Sequence, residues 1–380
     1  MLTIVADENI PHVTDAIGSL GHVHTVPGRP ITRGTVLEAD ALLVRSVTRV
    51  DADLLEGTAV RFVGSATAGT DHVDPPALEA AGIAFASAPG SNAASVVDYV
   101  LASVLAVASD QDVVLDGKTL GIVGAGHVGG RLAPRARALG FEVVVCDPPR
   151  AEAGFTDHDY LSLDAVLEVA DIVTLHTPFT DDGPHPTRSL FDLEVVDRMK
   201  TDAWLVNAAR GGVLEVDAAL ALATTRPVVL DVWPGEPEPD PALVQAAALA
   251  TPHIAGYALD AKVRGTAMVA NALRAWAGEP RWDVATVLPD PVRISAPSSR
   301  STRRDGWLDE VAQRAYDVRA DDARFRSALE GVSGERRAAA FSDLRKHYPA
   351  RRELSRVVLE GAVPASLVGA VTVGLGLQMA

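Results

Sequence analysis

A single cysteine, Cys146, stands in the whole chain of 380 residues. That count excludes an internal disulfide and a thiolate metal cluster, and no metal is expected; a reducing compartment, the cytoplasm, is the natural setting. Cations are scarce as well, with 34 Lys and Arg against 50 Asp and Glu and a formal net charge of -16. Nucleic acids and anionic membranes both demand clustered cations, so neither is expected as a partner. An anionic substrate would therefore have to find local positive charge. Aromatic residues make up only 5%, yet 48% of the chain is hydrophobic, which is ample for globular packing. A signal peptide is not expected, because Met1 to Glu8 carries acids where such a peptide has cations, and its apolar run is strand-like. The stretch 361–380 has no charge and is long enough on paper to cross a bilayer, but Pro364 and its glycines favour a buried terminal helix.

What is present is alternation. Apolar strands are expected at about 2–6, 41–44 and 61–63, with a helix after Pro11, an α/β pattern. Polar groups follow the strands: Arg45 and Ser46 after the second, and Ser65 to His72, including Thr67, after the third. Ligands of open α/β sheets sit at such carboxyl ends, although a lone hydroxyl there is equally a turn or helix cap. A long apolar helix is expected over 92–108.

The strand Lys118 to Val123 then runs into Gly124-Ala-Gly126-His127-Val128-Gly129, followed by a helix at 131–139. Such a strand, glycine loop and helix form a dinucleotide site: the glycines allow a tight turn, close approach of a pyrophosphate and close packing, while the helix amides face the phosphates. A further strand, Glu142 to Cys146, ends in Asp147, a carboxylate placed to accept from ribose hydroxyls and repel a 2'-phosphate; Arg150 pulls slightly the other way. NAD is the expected cofactor. Three more strands, ending at Thr177, Asn207 and Asp231, extend this into a doubly wound parallel sheet.

Downstream come Asn207-Ala208-Ala209-Arg210-Gly-Gly, Asp231-Val-Trp-Pro-Gly-Glu236 and Thr251-Pro-His253-Ile-Ala-Gly256-Tyr257. Arg210 offers a permanently charged fork for a carboxylate; His253 can accept a hydroxyl proton near neutral pH, and Glu236 can orient the imidazole. Each taken alone reads as a surface arginine, a solvated loop acid and a satisfied histidine. Taken together, behind a dinucleotide site, they indicate hydride transfer at a hydroxyl-bearing carbon beside a carboxylate.

These segments resemble the D-isomer-specific 2-hydroxyacid dehydrogenases. That resemblance implies Arg210, Glu236 and His253 as the catalytic residues. Stretches 6–11, 26–31, 44–48, 66–74, 146–150 and 253–257 are similar to a branch of the family that oxidises 4-phospho-D-erythronate to 2-oxo-3-hydroxy-4-phosphobutanoate in vitamin B6 biosynthesis. The likeness implies Ser46, Thr67 and Tyr257 as substrate contacts. For NAD it implies Asp147, Thr177, residues 208–210, Asp231 and Gly256 beside the loop Gly124, Gly126, His127, Val128 and Gly129. Ala209 and Pro234 depart from the family pattern without removing a catalytic function. For the substrate phosphate Arg45 leads, with Arg29, Lys262, Arg264 and the Arg345-Lys346 pair in reserve.

A chain this long exceeds one ordinary core. A flavodoxin-like substrate domain is expected from 1–92 and 258–285, a Rossmann-like NAD domain from 93–257, and a small α+β domain from 286–380 behind a Pro/Ser/Arg-rich linker at 288–303. In the last part, helices are expected at 306–319, 321–330 and 335–347, and a strand at 356–359. Its resemblance to the branch's dimerisation domain implies a homodimer. Two rivals stay open: another 2-hydroxyacid dehydrogenase, such as one for phosphoglycerate, and a non-catalytic NADH-sensing corepressor of the same fold.

Overall fold

Apolar runs such as Ala41–Val44 and Ile172–Leu175 are buried along their whole length. Strands of that kind belong in parallel sheets covered by helices on both faces. The computed structural model, which describes residues 1–27, 31–298 and 303–380, places them there. The chain divides into two compact units, 1–92 with 258–290, and 93–257 with 291–380.

In the first unit the strands are β1 (Leu2–Asp7), β2 (Gly21–Val26), β3 (Ala41–Val44), β4 (Phe62–Ser65) and β5 (Ala84–Ala86). They pair in parallel in the order β2-β1-β3-β4-β5, the flavodoxin-like arrangement. The edge strands β2 and β5 are half exposed and carry mixed patterns, so no apolar run announces them. The helix Leu259–Trp276 belongs to this unit, with Val269, Ala270 and Leu273 packed among Ile4, Leu43 and Phe62. Arg274 pins it by donating to the Ala16 carbonyl and the Ser19 hydroxyl, both at 3.0 Å.

The second unit holds β6 (Thr119–Val123), β7 (Glu142–Cys146), β8 (Ile172–Leu175), β9 (Trp204–Asn207), β10 (Val228–Leu230) and β11 (Leu249–Ala250), ordered β11-β10-β9-β8-β6-β7 and all parallel. Chain order reverses at β6, whose carboxyl end opens into the glycine loop. The helix Ala93–Asp110 is long and apolar enough to cross a bilayer, but 83% of it is buried inside this unit.

Helices Arg304–Ala315, Val318–Leu329 and Glu335–Lys346 and a parallel sheet of β12 (Val292–Ser295), β13 (Val357–Glu360) and β14 (Gln378–Met379) complete it. Two expectations are corrected here. Part of the 288–303 linker is strand β12, paired along its length with β13. The tail is not one helix: a 3-10 turn at Ala365–Leu367 and a π turn at Ala370–Gly374 lead into β14. Arg135 explains the break, since its guanidinium takes the Gly374 carbonyl at 2.8 Å and the Leu375 carbonyl at 2.6 Å while also pairing with buried Asp98 at 2.8 Å. Carbonyls held by a side chain do not need a further helical turn.

These last ninety residues share both cores with the nucleotide sheet. Trp307, Leu308 and Val311 join the cluster around Ala93–Asp110, while Phe325 and Phe341 join Trp233 behind β10. Trp233 and Phe325 pack with ring centroids 5.6 Å apart and planes tilted by 46°.

Candidate active site

The glycine loop is built as a cradle for a phosphate-bearing ligand. Gly124 has φ 94, and a Cβ on it would lie 2.8 Å from the His176 backbone; one on Gly129 would lie 2.0 Å from the Gly124 carbonyl oxygen. A Cβ on Gly126 would meet nothing within 4 Å, so this is the open side of the loop. Asp147 braces it from the next strand end, accepting from the Ala125 amide at 2.7 Å and the Arg150 amide at 3.0 Å. The Arg150 side chain is engaged elsewhere, by the Tyr160 hydroxyl and Asp157 at 3.0 Å each and by the face of Phe155. No cation is thereby offered to a 2'-phosphate from this position, which suits NAD. At the end of β8 the Thr177 hydroxyl is buried without a hydrogen-bond partner, a group that a bound dinucleotide could satisfy. Beside it, burial pushes the His176 imidazole down to about 3, so it is neutral. The residues present fit NAD.

Ala208, Ala209 and Arg210 follow β9. Asn207 shapes the loop, donating to the Arg210 carbonyl at 3.0 Å and accepting from the Ala209 amide at 3.1 Å. A Cβ on Gly211 would fall 2.0 Å from the Trp233 carbonyl oxygen, so the backbone carrying Arg210 passes directly against the loop carrying Glu236. Glycine there is a packing requirement.

His253 lies at φ 58, a left-handed conformation that costs a non-glycine residue roughly 1–2 kcal/mol. The turn is over-determined by its neighbours. The His253 amide donates to the Asp231 carbonyl at 2.6 Å, and the buried Asp231 carboxylate accepts from the Ile254 amide (2.7 Å), the Ala255 amide (2.8 Å) and the Thr251 hydroxyl (2.7 Å). Thr251 in turn meets the Tyr99 hydroxyl at 2.8 Å, and Trp233 Nε1 donates to its carbonyl at 2.8 Å. Burial pushes the Asp231 carboxyl up, against the opposing pull of the His253 charge and these donors. Asp231 thus underlies the turn that presents His253 and Gly256.

From this turn His253 Nδ1 meets Glu236 Oε2 at 2.7 Å, while Glu236 Oε1 accepts from the Trp233 amide at 2.8 Å. Burial works to raise the Glu236 carboxyl, but the His253 charge, the two hydrogen bonds and the more distant charge of Arg345 outweigh it and hold it below the usual range. With Nδ1 committed to a carboxylate, Nε2 is the nitrogen left to exchange a proton with a substrate.

The structure therefore brings Arg210, Glu236 and His253 onto adjacent loops. Tyr257 stands one turn on from His253, its ring edge-on to Tyr348 at 5.9 Å. In the first unit, Arg45 and Ser46 lie at the end of β3, and the Thr67 hydroxyl donates to the Gly69 carbonyl at 2.8 Å within a cluster with Ser65 and His72. Of the reserve cations, Arg264 donates to the Ser91 carbonyl in the first unit, and Arg29 lies outside the described residues.

Sequence reasoning missed the supports. Arg351, buried, donates to the Ser95 hydroxyl at 3.0 Å and the Ala255 carbonyl at 2.5 Å, and lies over the Tyr316 ring. Asp322 accepts from the Ala250 amide at 2.7 Å, and Arg326 takes the Ala247 carbonyl at 2.8 Å. These partners lie 72 to 256 positions apart in the chain, and no local pattern signals them.

The family model for the NAD binding domain of D-isomer specific 2-hydroxyacid dehydrogenases matches residues 106–255, and a domain of unknown function matches 288–371. An erythronate-4-phosphate dehydrogenase of Salinibacter ruber is 50% identical over 100% of this chain and 99% of its own length. Another, of Azotobacter vinelandii, is 48% identical over 96% of each. Among solved structures, the TT0316 protein of Thermus thermophilus superposes with a TM-score of 0.64 at 27% identity, covering 74% of this chain and 98% of that one. A glycine cradle fitted to NAD, an Arg, Glu and His on neighbouring loops and these likenesses agree: the chain belongs to the D-isomer-specific 2-hydroxyacid dehydrogenases, NAD-dependent oxidoreductases, in their erythronate-4-phosphate dehydrogenase branch.

Proposed function

We propose that this chain oxidises 4-phospho-D-erythronate to 2-oxo-3-hydroxy-4-phosphobutanoate, a step of vitamin B6 biosynthesis, in the cytoplasm. The observation that carries the reading is the 2.7 Å pair of His253 and Glu236 beside the Arg210 loop. NAD, held by the glycine cradle and Asp147, would supply the acceptor for the hydride that leaves C2. Arg210 holds the C1 carboxylate by its forked donors and so fixes the plane in which C2 sits. His253 Nε2 takes the C2 hydroxyl proton, and Glu236 stabilises the imidazolium that results. The hydroxyl would become a ketone by losing its proton to His253 and its C2 hydride to that acceptor.

For the cofactor, Gly124, Gly126, His127, Val128 and Gly129 would face the pyrophosphate, Asp147 the adenosine ribose, and Thr177 with Ala208, Ala209 and Arg210 the nicotinamide half. Asp231 would act through the turn that presents Gly256. Tyr257 in the second unit, and Ser46 and Thr67 in the first, are substrate contacts in this reading, with Arg45 offered to the phosphate. The segment 286–380 serves a homodimer, which sedimentation at micromolar concentration tests.

An NAD-dependent assay with 4-phosphoerythronate beside 3-phosphoglycerate and glycerate decides the substrate. The phosphorylated four-carbon acid should have the highest kcat/KM. Preference for 3-phosphoglycerate would move the chain to another 2-hydroxyacid specificity, and no turnover on any hydroxy acid would favour the corepressor reading.

A further inference from the structure

The proposed substrate is phosphorylated, and a phosphate dianion needs fixed positive charge. In the last segment Arg319 pairs with Asp110 and Asp309 and Arg326 with Asp322 and the Ala247 carbonyl, while Arg351 uses one nitrogen on the Ala255 carbonyl and Ser95 and leaves its Nε and Nη1 buried without a hydrogen-bond partner. Arg345, in the last turn of the helix Glu335–Lys346, is half-buried and, unlike Arg319 and Arg326, is paired with no carboxylate among the described residues. Its guanidinium carbon lies 5.5 Å from the centre of the Tyr257 ring and 5.7 Å from that of Phe341, over two aromatic faces. Its Nε is buried and has no hydrogen-bond partner, and among the described residues it makes no ion pair. Tyr257 belongs to the turn of His253, its amide donating to the Ile254 carbonyl at 2.9 Å.

A buried N–H without a partner is destabilising unless a ligand satisfies it. A planar fork, held by rings and spared any carboxylate, matches a phosphate group geometrically. Tyr257, which this cation overlies, is four residues on from His253. The charge of Arg345 also reaches Glu236, where it helps hold that carboxyl low.

We propose that Arg345 binds the phosphate of the substrate, so that the C-terminal segment contributes a specificity-determining residue to the site. This rests on the proposed phosphorylated substrate and deepens it. A segment otherwise read as an assembly domain then also selects an acid that carries a phosphate over one that does not.

The test is a selectivity ratio, kcat/KM for 4-phosphoerythronate divided by that for unphosphorylated erythronate. Arg345→Ala should lower this ratio about 30-fold, chiefly through KM for the phosphorylated acid, in line with a charged hydrogen bond of roughly 1.5–3 kcal/mol. Arg345→Lys, which keeps charge but loses the fork, should fall between. Inorganic phosphate, used as a competitive inhibitor of erythronate oxidation, should weaken in parallel. An unchanged ratio with unchanged phosphate inhibition overturns the proposal. So does an equal loss on both substrates with a moved pH profile, because the arginine would then act through Glu236. If Arg345→Ala melts early, the Lys variant and the phosphate inhibition constant carry the same decision. A wild-type enzyme with no preference for the phosphorylated acid would instead defeat the substrate assignment itself.

Discussion

The nucleotide loop and the catalytic turn sit at the carboxyl ends of one sheet but are held by different means. The loop, Gly124 to Gly129, is shaped by contacts with its own neighbourhood: the carbonyl of Gly124, the backbone of His176 and the carboxylate of Asp147. What it needs is the absence of side chains. The turn Thr251 to Tyr257 bears a left-handed histidine and is gripped from Tyr99, Ser95, Asp231, Trp233 and Arg351. What it needs is the presence of side chains brought from far away. Cofactor binding should therefore respond to damage within the loop, and turnover to damage well outside the turn.

The largest expected effect removes the base. His253→Ala should lower kcat by between about a hundredfold and ten-thousandfold while NAD affinity by fluorescence titration stays near normal; near-normal turnover would remove His253 from its role. Next, Gly129→Ala forces a methyl onto the Gly124 carbonyl. An overlap costing about 1–3 kcal/mol should weaken NAD binding by up to about a hundredfold, and the comparison breaks if calorimetry finds NAD affinity unchanged.

The opposite pattern is expected from Arg351→Met. Leaving the Ala255 carbonyl with Ser95 Oγ, at 2.8 Å, in place of two donors should cost about tenfold in kcat and about 2 kcal/mol of stability, with NAD affinity untouched. If NAD affinity falls as far as kcat, the two regions are not separately supported.

The smallest effect concerns Glu236→Gln. In the folded protein the Glu236 carboxyl is held below its ordinary value of 4.5, largely by the His253 charge opposing burial. A depressed acid stabilises the fold fully above its unfolded value, and that contribution disappears as pH falls through the folded one. The wild type should therefore exceed Glu236→Gln in Tm near neutrality, and the gap should narrow below about pH 4.5. A gap constant with pH would dissociate the pair.

The local half of this comparison is the half that sequence reveals. Strand, glycine loop, helix and terminal acid follow one another within thirty residues, so the cradle and its preference for NAD can be read from Lys118 to Asp147. Arg210, Glu236 and His253 could be named because each sits in a short loop behind that unit. Their 2.7 Å contact and the passage of Gly211 against Trp233 could not, because distances between loops depend on how strands register. The edge strand β12 was hidden in a Pro/Ser/Arg-rich stretch because an edge strand needs a paired backbone more than an apolar pattern. The tail misled for the related reason that uncharged glycine-rich chain suits either a helix or carbonyls captured by Arg135.

By itself the sequence determined the class of chemistry, since phosphate cradling, carboxylate gripping and proton transfer each require particular groups in short-range order. Only the tertiary structure decided that the C-terminal segment underpins the catalytic turn and leaves Arg345 beside Tyr257, because a buried cation finds its partners by packing and not by sequence distance.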